Sequence, residues 1–77
     1  MSIEVLTLTD KGTNMSNTRR RPSSDPWINK AYDVVYTIGR AGGRLSSDRI
    51  VELFGGDKYQ AGKMIGFLKN RNVVTGE

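Results

Sequence analysis

The residues best suited to chemistry lie in the stretch 57–72, where basic and polar side chains recur at helical spacing. This stretch holds four basic residues and one acidic residue, a net charge of +3 in a chain whose total is +4. Cationic side chains can neutralise phosphates, and polar side chains near the start of a helix can address base edges. The candidate nucleic-acid contacts are Lys58, Tyr59, Gln60, Lys63, Lys69 and Arg71, together with Arg44 from earlier in the chain.

Other chemistry finds little support in the sequence. The chain has no cysteine and no histidine, so disulfides, zinc fingers, imidazole metal sites and His-dependent catalytic groups are excluded. Asp48 and Glu52 are four residues apart, but a third ligand is lacking and Arg49 lies between them. The stretch 56–64 falls short of a phosphate-binding loop because it is one residue too long and has Met64 in place of Ser or Thr. We therefore expect no enzyme activity, no metal and no cofactor.

Composition sets the size and the class of partner. Seventy-seven residues, 36% of them hydrophobic, allow one small domain with a modest core. An excess of twelve basic over eight acidic residues favours polyanionic partners. The sequence shows neither an apolar run of about 18 residues nor a signal-peptide pattern, so we expect a cytoplasmic protein that does not bind membranes.

Three helices position these residues. Asp25 and Pro26 are typical of a helix start, with the aspartate as N-cap and the proline at the first helical position. Ser46 is the expected N-cap of a second helix, which Gly55 and Gly56 end. Apolar residues on the first helix recur on one face, and those on the second form a compact apolar face; they are Trp27, Ala31, Val34, Val35 and Ile38, then Ile50, Leu53 and Phe54. We interpret Trp27 as a core or edge-packing residue.

The third helix begins at Asp57, which forms an Asp-x-x-Gln capping box with Gln60. Its apolar stripe consists of Ala61, Met64, Ile65 and Leu68. Gly62 and Gly66 on this helix either permit close approach of another surface or are merely tolerated. Phe67 either folds back onto the first helix or contacts a partner. After residues 70–72, Val73 and Val74 predict the first strand of a small sheet.

The first 24 residues are predicted to be a flexible arm with a short strand at 3–9. The strand either pairs with another part of the chain or is disordered. Residues 13–24 are almost without apolar side chains and contain Arg19, Arg20 and Arg21. This basic segment is either a solvated linker or an arm for the DNA minor groove.

One family resemblance rests on the apolar positions between Ile50 and Val74. Their spacing resembles the helix-turn-helix core of a winged-helix domain, and is similar in particular to the gamma domain of FtsK-type DNA translocases. The resemblance implies recognition of double-stranded DNA through the third helix, with Lys58, Tyr59, Gln60 and Lys63 at the exposed positions. A winged helix continues into a β-hairpin wing, for which only three residues follow Val74. The wing is therefore absent or reduced, or residues 3–8 supply the strand that pairs with Val73 and Val74.

The predicted fold is mostly α: a three-helix, winged-helix-like domain over residues 25–77, with a minimal β component and a flexible N-terminal arm. The predicted function is that of a small DNA-binding regulator or accessory factor, which contacts duplex DNA through residues 57–71 and could act as a homodimer. The alternative is a protein-interaction module, such as a small phage- or plasmid-type inhibitor that docks on RNA polymerase or another host protein. Phe67, Gly62 and Gly66 would then contact the partner, and the apolar N-terminal segment could add a strand to the partner's sheet.

Overall fold

The computed structural model describes residues 4–17 and 24–76, which form four helices and one three-stranded antiparallel sheet. The prediction of a mostly helical fold with a small β component is confirmed. In chain order the elements are β1 (Val5–Leu8), α1 (Asp10–Asn17), α2 (Pro26–Arg40), β2 (Arg44–Ser46), α3 (Ser47–Leu53), α4 (Lys58–Asn70) and β3 (Val74–Gly76). The first, second and third predicted helices correspond to α2, α3 and α4.

Local capping chemistry fixes where the longer helices begin. The Asp25 carboxylate accepts a hydrogen bond from the Trp27 backbone N–H at 2.9 Å, and Pro26 follows as the first helical residue. The Asp57 carboxylate accepts from the Gln60 backbone N–H at 3.1 Å at the start of α4. Ser46 is the N-cap of α3, although its side chain makes no capping hydrogen bond. All three predicted helix starts are confirmed.

A glycine turn separates α3 from α4 and sets their packing. Gly55 and Gly56 have φ values of 67° and 89°, in the left-handed region that favours glycine. This turn lets α4 fold back against α3.

The core lies where α2, α3 and α4 meet the sheet, and it contains the apolar residues that helical spacing assigned to the inner faces. Trp27, Leu53, Phe54 and Ile65 are half-buried and pack against it. The buried hydrophobic residues are Leu6, Ala31, Val34, Val35, Ile38, Ile50, Ala61, Met64, Leu68, Val73 and Val74.

The N-terminal strand is the central strand of the sheet. β1 pairs antiparallel with β2 on one side and with β3 on the other, with Leu8 opposite Val74. Of the two alternatives for this segment, pairing with another part of the chain is therefore observed. Because both edges of β1 are occupied by the protein's own strands, the suggestion that this segment adds to a partner's sheet is wrong. β2 was not predicted.

The segment expected to be a flexible arm contains a helix. Residues 10–17 form α1, which packs on α2, so the expectation of flexibility over 13–24 is wrong for residues 13–17. The close packing depends on glycine: a Cβ at Gly12 would collide with the Val73 carbonyl oxygen, and one at Gly39 with the Ser16 hydroxyl. No apolar periodicity marks α1 in the sequence, because this helix buries a glycine rather than an apolar stripe. Arg19, Arg20 and Arg21 lie outside the described residues.

Thr9 joins the start of α1 to the end of α4. Its hydroxyl accepts a hydrogen bond from the Gly12 backbone N–H at 3.2 Å, which satisfies one of the free donors at the start of α1. The same hydroxyl lies against the carbonyl oxygens of Asn72 and Val73, and the Thr9 backbone N–H donates to Val73 at 3.0 Å. These contacts hold β1 and α1 against the segment between α4 and β3.

Candidate nucleic-acid interface

One side of α4 packs on the core and the other faces outward. Ala61, Met64 and Leu68 are buried, as expected from a helical period of 3.6 residues. The opposite side presents Tyr59, which is 72% exposed, and Lys63, which is also exposed. The helix thus uses its apolar stripe for folding and leaves a polar face for contacts.

Lys63 lies between two aromatic rings from different helices. Its Nζ is 5.5 Å from the ring centroid of Tyr59 on α4 and 5.7 Å from that of Trp27 on α2. Both distances fall within the range of about 6 Å over which a cation is attracted to a ring. Among the described residues Lys63 has no carboxylate partner. Its charge is therefore held in place by rings without being neutralised.

The same pattern continues along the surface towards the end of α4. The rings of Trp27 and Phe67 meet edge to face, with centroids 5.9 Å apart and planes at 78°. The Arg71 guanidinium lies 4.5 Å from the Phe67 ring centroid. We call the five residues Tyr59, Lys63, Trp27, Phe67 and Arg71 the cation–aromatic row.

The row was only partly predictable from the sequence. The sequence predicts DNA contacts at three members of the row, Lys63, Tyr59 and Arg71. It predicts only a packing role for Trp27. Trp27 does pack against the core, and its ring also makes a cation–π contact with the Lys63 ammonium. No local spacing signals this second role, because Trp27 and Lys63 are 36 positions apart and only the tertiary fold brings their side chains together.

Phe67 folds back onto α2, one of the two alternatives left open by the sequence. It is half-buried and contacts Trp27. Its ring separates two surface grooves. One is lined by Trp27, Gly62, Lys63, Gly66, Phe67 and Asn70; the other lies between α1, α2 and the end of α4.

Gly62 and Gly66 line the first groove, and the chain's own packing does not require them to be glycine. A Cβ placed on either residue would have no atom within 4 Å. Neither glycine has a positive φ. Since glycine inside a helix costs about 1 kcal/mol relative to alanine, both weaken α4 without relieving any steric conflict within the chain.

The remaining candidate contacts are distributed around the molecule. Lys58 is exposed in the first turn of α4, and Gln60 is half-buried beside the Asp57 cap. The Lys69 ammonium is 2.6 Å from a Glu4 carboxylate oxygen, so this lysine ties α4 to the residue before β1. Arg44 is exposed on β2. Lys69 and Arg44 are therefore not part of the cation–aromatic row.

In the ranges 4–17 and 24–76, no group of three or more acidic side chains is placed to hold a metal ion. Arg49 and Glu52 form an exposed ion pair at 3.5 Å. None of the helices in the described part of the chain combines the length and apolar character needed to cross a membrane.

Comparisons of this chain with protein-family models, with curated proteins and with solved structures give no match.

Proposed function

We propose that this protein binds duplex DNA through the outward face of α4. The observation that carries the proposal is the Lys63 ammonium, which is exposed, has no carboxylate partner among the described residues and is held between two rings. A surface cation that a protein leaves unneutralised is available to an external anion. Phosphate groups on a nucleic-acid backbone are such anions.

The shape of the face suits contact with a broad surface. Because Gly62 and Gly66 carry no side chains, a DNA backbone could approach the helix closely between Lys63 and Phe67. The order of α3, a glycine turn and α4 agrees with a helix-turn-helix, in which the second helix meets the DNA. β1 supplies the strand beside β3 that a wing would supply in a winged helix.

Salt dependence provides the first test. Three exposed cations lie on or beside this face: Lys58, Lys63 and Arg71. If each neutralises one phosphate, the logarithm of the binding constant falls with a slope of about −2.7 against the logarithm of salt concentration. Affinity for a fluorescein-labelled duplex, measured by anisotropy, should then drop about 40-fold between 50 and 200 mM salt.

Lys63→Ala should weaken binding at every duplex sequence and reduce the slope by about 0.9. Arg40→Ala is the matched control, because it removes the same charge from an exposed residue outside the row. Equal effects of the two substitutions would indicate diffuse attraction rather than a defined face. Absence of salt-dependent binding at micromolar protein would refute the proposal.

A homodimer is part of this proposal, because one helix reads few base pairs and two would extend the site. Light scattering coupled to size-exclusion chromatography, with and without duplex, measures the stoichiometry. A stoichiometry of one chain per duplex at saturation would refute the homodimer. It would not contradict DNA binding through the outward face of α4.

The second groove favours an alternative function, docking on a host protein such as RNA polymerase. This groove of about 510 Å³ has an apolar lining that includes Met15, Ile28 and Phe67, with the cations Lys11 and Arg71 beside them. An acidic partner segment with an apolar anchor would complement it. Capture of a protein from nuclease-treated extract, lost with Phe67→Ala and retained with Lys63→Ala, would support docking over DNA binding.

A further inference from the structure

The rings of the cation–aromatic row are engaged within the protein. The rings of Tyr59 and Trp27 both make cation–π contacts with the Lys63 ammonium. The Phe67 ring contacts the Arg71 guanidinium and packs edge to face with Trp27. Aromatic residues that bind nucleic-acid bases offer their faces for stacking. These rings are placed instead to hold cations.

We infer that Tyr59 and Trp27 are positioning residues, which fix the Lys63 ammonium where it meets a DNA phosphate. This inference rests on the proposed function and adds how the outward face of α4 holds its cation ready for a phosphate. Tyr59 acts through Lys63 and does not itself contact the DNA. Phe67 has the corresponding role for Arg71.

The physical reason lies in the flexibility of lysine. An unrestrained lysine side chain loses much of its rotamer freedom when it binds an anion, and this loss opposes binding. Two rings with centroids within 6 Å of the ammonium restrict that freedom before the DNA arrives. The restriction is possible because the Asp25 and Pro26 cap fixes the first turn of α2, and Trp27 with it, beside α4.

Tyr59 gives the clearest test because it is 72% exposed and its removal should leave the fold unchanged. We expect Tyr59→Leu to weaken duplex binding about two- to fivefold, the range of a solvent-exposed cation–ring contact. The slope with salt should stay that of the unaltered protein, since no charge is lost. Tyr59→Phe keeps the ring and should bind almost as tightly as the unaltered protein.

A double-mutant cycle separates positioning from direct contact. In a Lys63→Ala background, Tyr59→Leu should have no further effect, because the ring then has no ammonium to hold. The same loss in both backgrounds would show that Tyr59 contacts DNA directly, and would overturn the inference. So would a loss in Tyr59→Phe equal to that in Tyr59→Leu.

A matched control and a second ring complete the design. Tyr36 is 52% exposed, and its ring centroid lies 5.7 Å from the Arg40 guanidinium carbon. Tyr36→Leu therefore removes a similar contact outside the row and should leave duplex affinity unchanged. Trp27→Phe keeps a smaller ring, and should lower affinity less than Tyr59→Leu while the slope stays constant. A change of slope with Trp27→Phe would contradict the inference.

One readout needs no DNA and keeps the inference testable if the proposed function fails. Protons on the Lys63 ε-carbon should show upfield NMR shifts from the two rings, and these shifts should shrink in Tyr59→Leu and in Trp27→Phe. Shifts at the values of a free lysine would overturn positioning even if the duplex binds. Upfield shifts without duplex binding would refute the proposed function. The two rings would then still hold Lys63 in place, but the role of that contact in DNA binding would be refuted as well.

Discussion

Replacing Gly62 and Gly66 with alanine should make the protein more stable and a poorer DNA binder. A Cβ at either position meets no atom within 4 Å, and neither residue has a positive φ. Each substitution should therefore gain the helix preference of alanine over glycine, about 1 kcal/mol, without a steric penalty. The double variant should gain about 2 kcal/mol, against a total of roughly 4–12 kcal/mol for a chain of this length.

Thermal and urea unfolding monitored by circular dichroism measure this gain. For a domain of this size, about 2 kcal/mol corresponds to a rise in Tm of about 8–16 °C. With a urea dependence of about 1–2 kcal/mol per M, the urea midpoint should rise by about 1–2 M. Duplex affinity should fall, because the two methyl groups occupy the groove through which the DNA backbone approaches.

Other glycines supply controls with opposite expectations. Gly12→Ala places a Cβ against the Val73 carbonyl oxygen, which is backbone and cannot move cheaply, so it should destabilise the protein by about 1–3 kcal/mol. Gly39→Ala meets the Ser16 side chain, whose hydroxyl can rotate away while its Cβ lies 3.0 Å from the added methyl group, so its effect should be smaller. If the Gly62 and Gly66 variant is not stabilised, the argument from free space is wrong. If it is stabilised but binds DNA unchanged, these glycines are not in the interface.

Three further substitutions test how β1 is built into the fold. Leu6→Ala removes a fully buried side chain from the central strand and should cost about 2–5 kcal/mol in urea unfolding; unchanged stability would mean that β1 is dispensable. Glu4→Gln should cost at most about 0.5 kcal/mol, because both partners of the Glu4–Lys69 pair are 38% exposed and screened. The cost should vanish in about 1 M salt, and a salt-independent cost would point to packing instead. Thr7→Val should stabilise by about 0.5–1 kcal/mol in thermal unfolding, since the Thr7 hydroxyl is buried without a hydrogen-bond partner in the described ranges. Destabilisation would indicate an unseen partner for that hydroxyl.

The cation–aromatic row shows why a site can be half visible in a sequence. The periodicity of α4 assigns Lys63 and Tyr59 to the outer face, because side chains four residues apart on a helix are neighbours. Trp27 follows the same apolar pattern as the core residues, and periodicity cannot separate a ring that only fills space from one that also lies beside a cation. Lys69 is the reverse case. Its position in the sequence predicts a DNA contact, whereas the fold places a Glu4 carboxylate oxygen 2.6 Å from its ammonium.

Local sequence signals are enough to predict where the longer helices begin and which of their faces are buried. Asp25 with Pro26, and Asp57 with Gln60, mark helix starts through contacts two or three residues apart, and the apolar periodicity then identifies the buried faces. Tertiary structure decided the rest: β1 as the central strand, α1 as a helix packed through Gly12, and Trp27 beside Lys63. These features depend on contacts between residues 36 to 70 positions apart, and such contacts form only when the whole chain closes around one core.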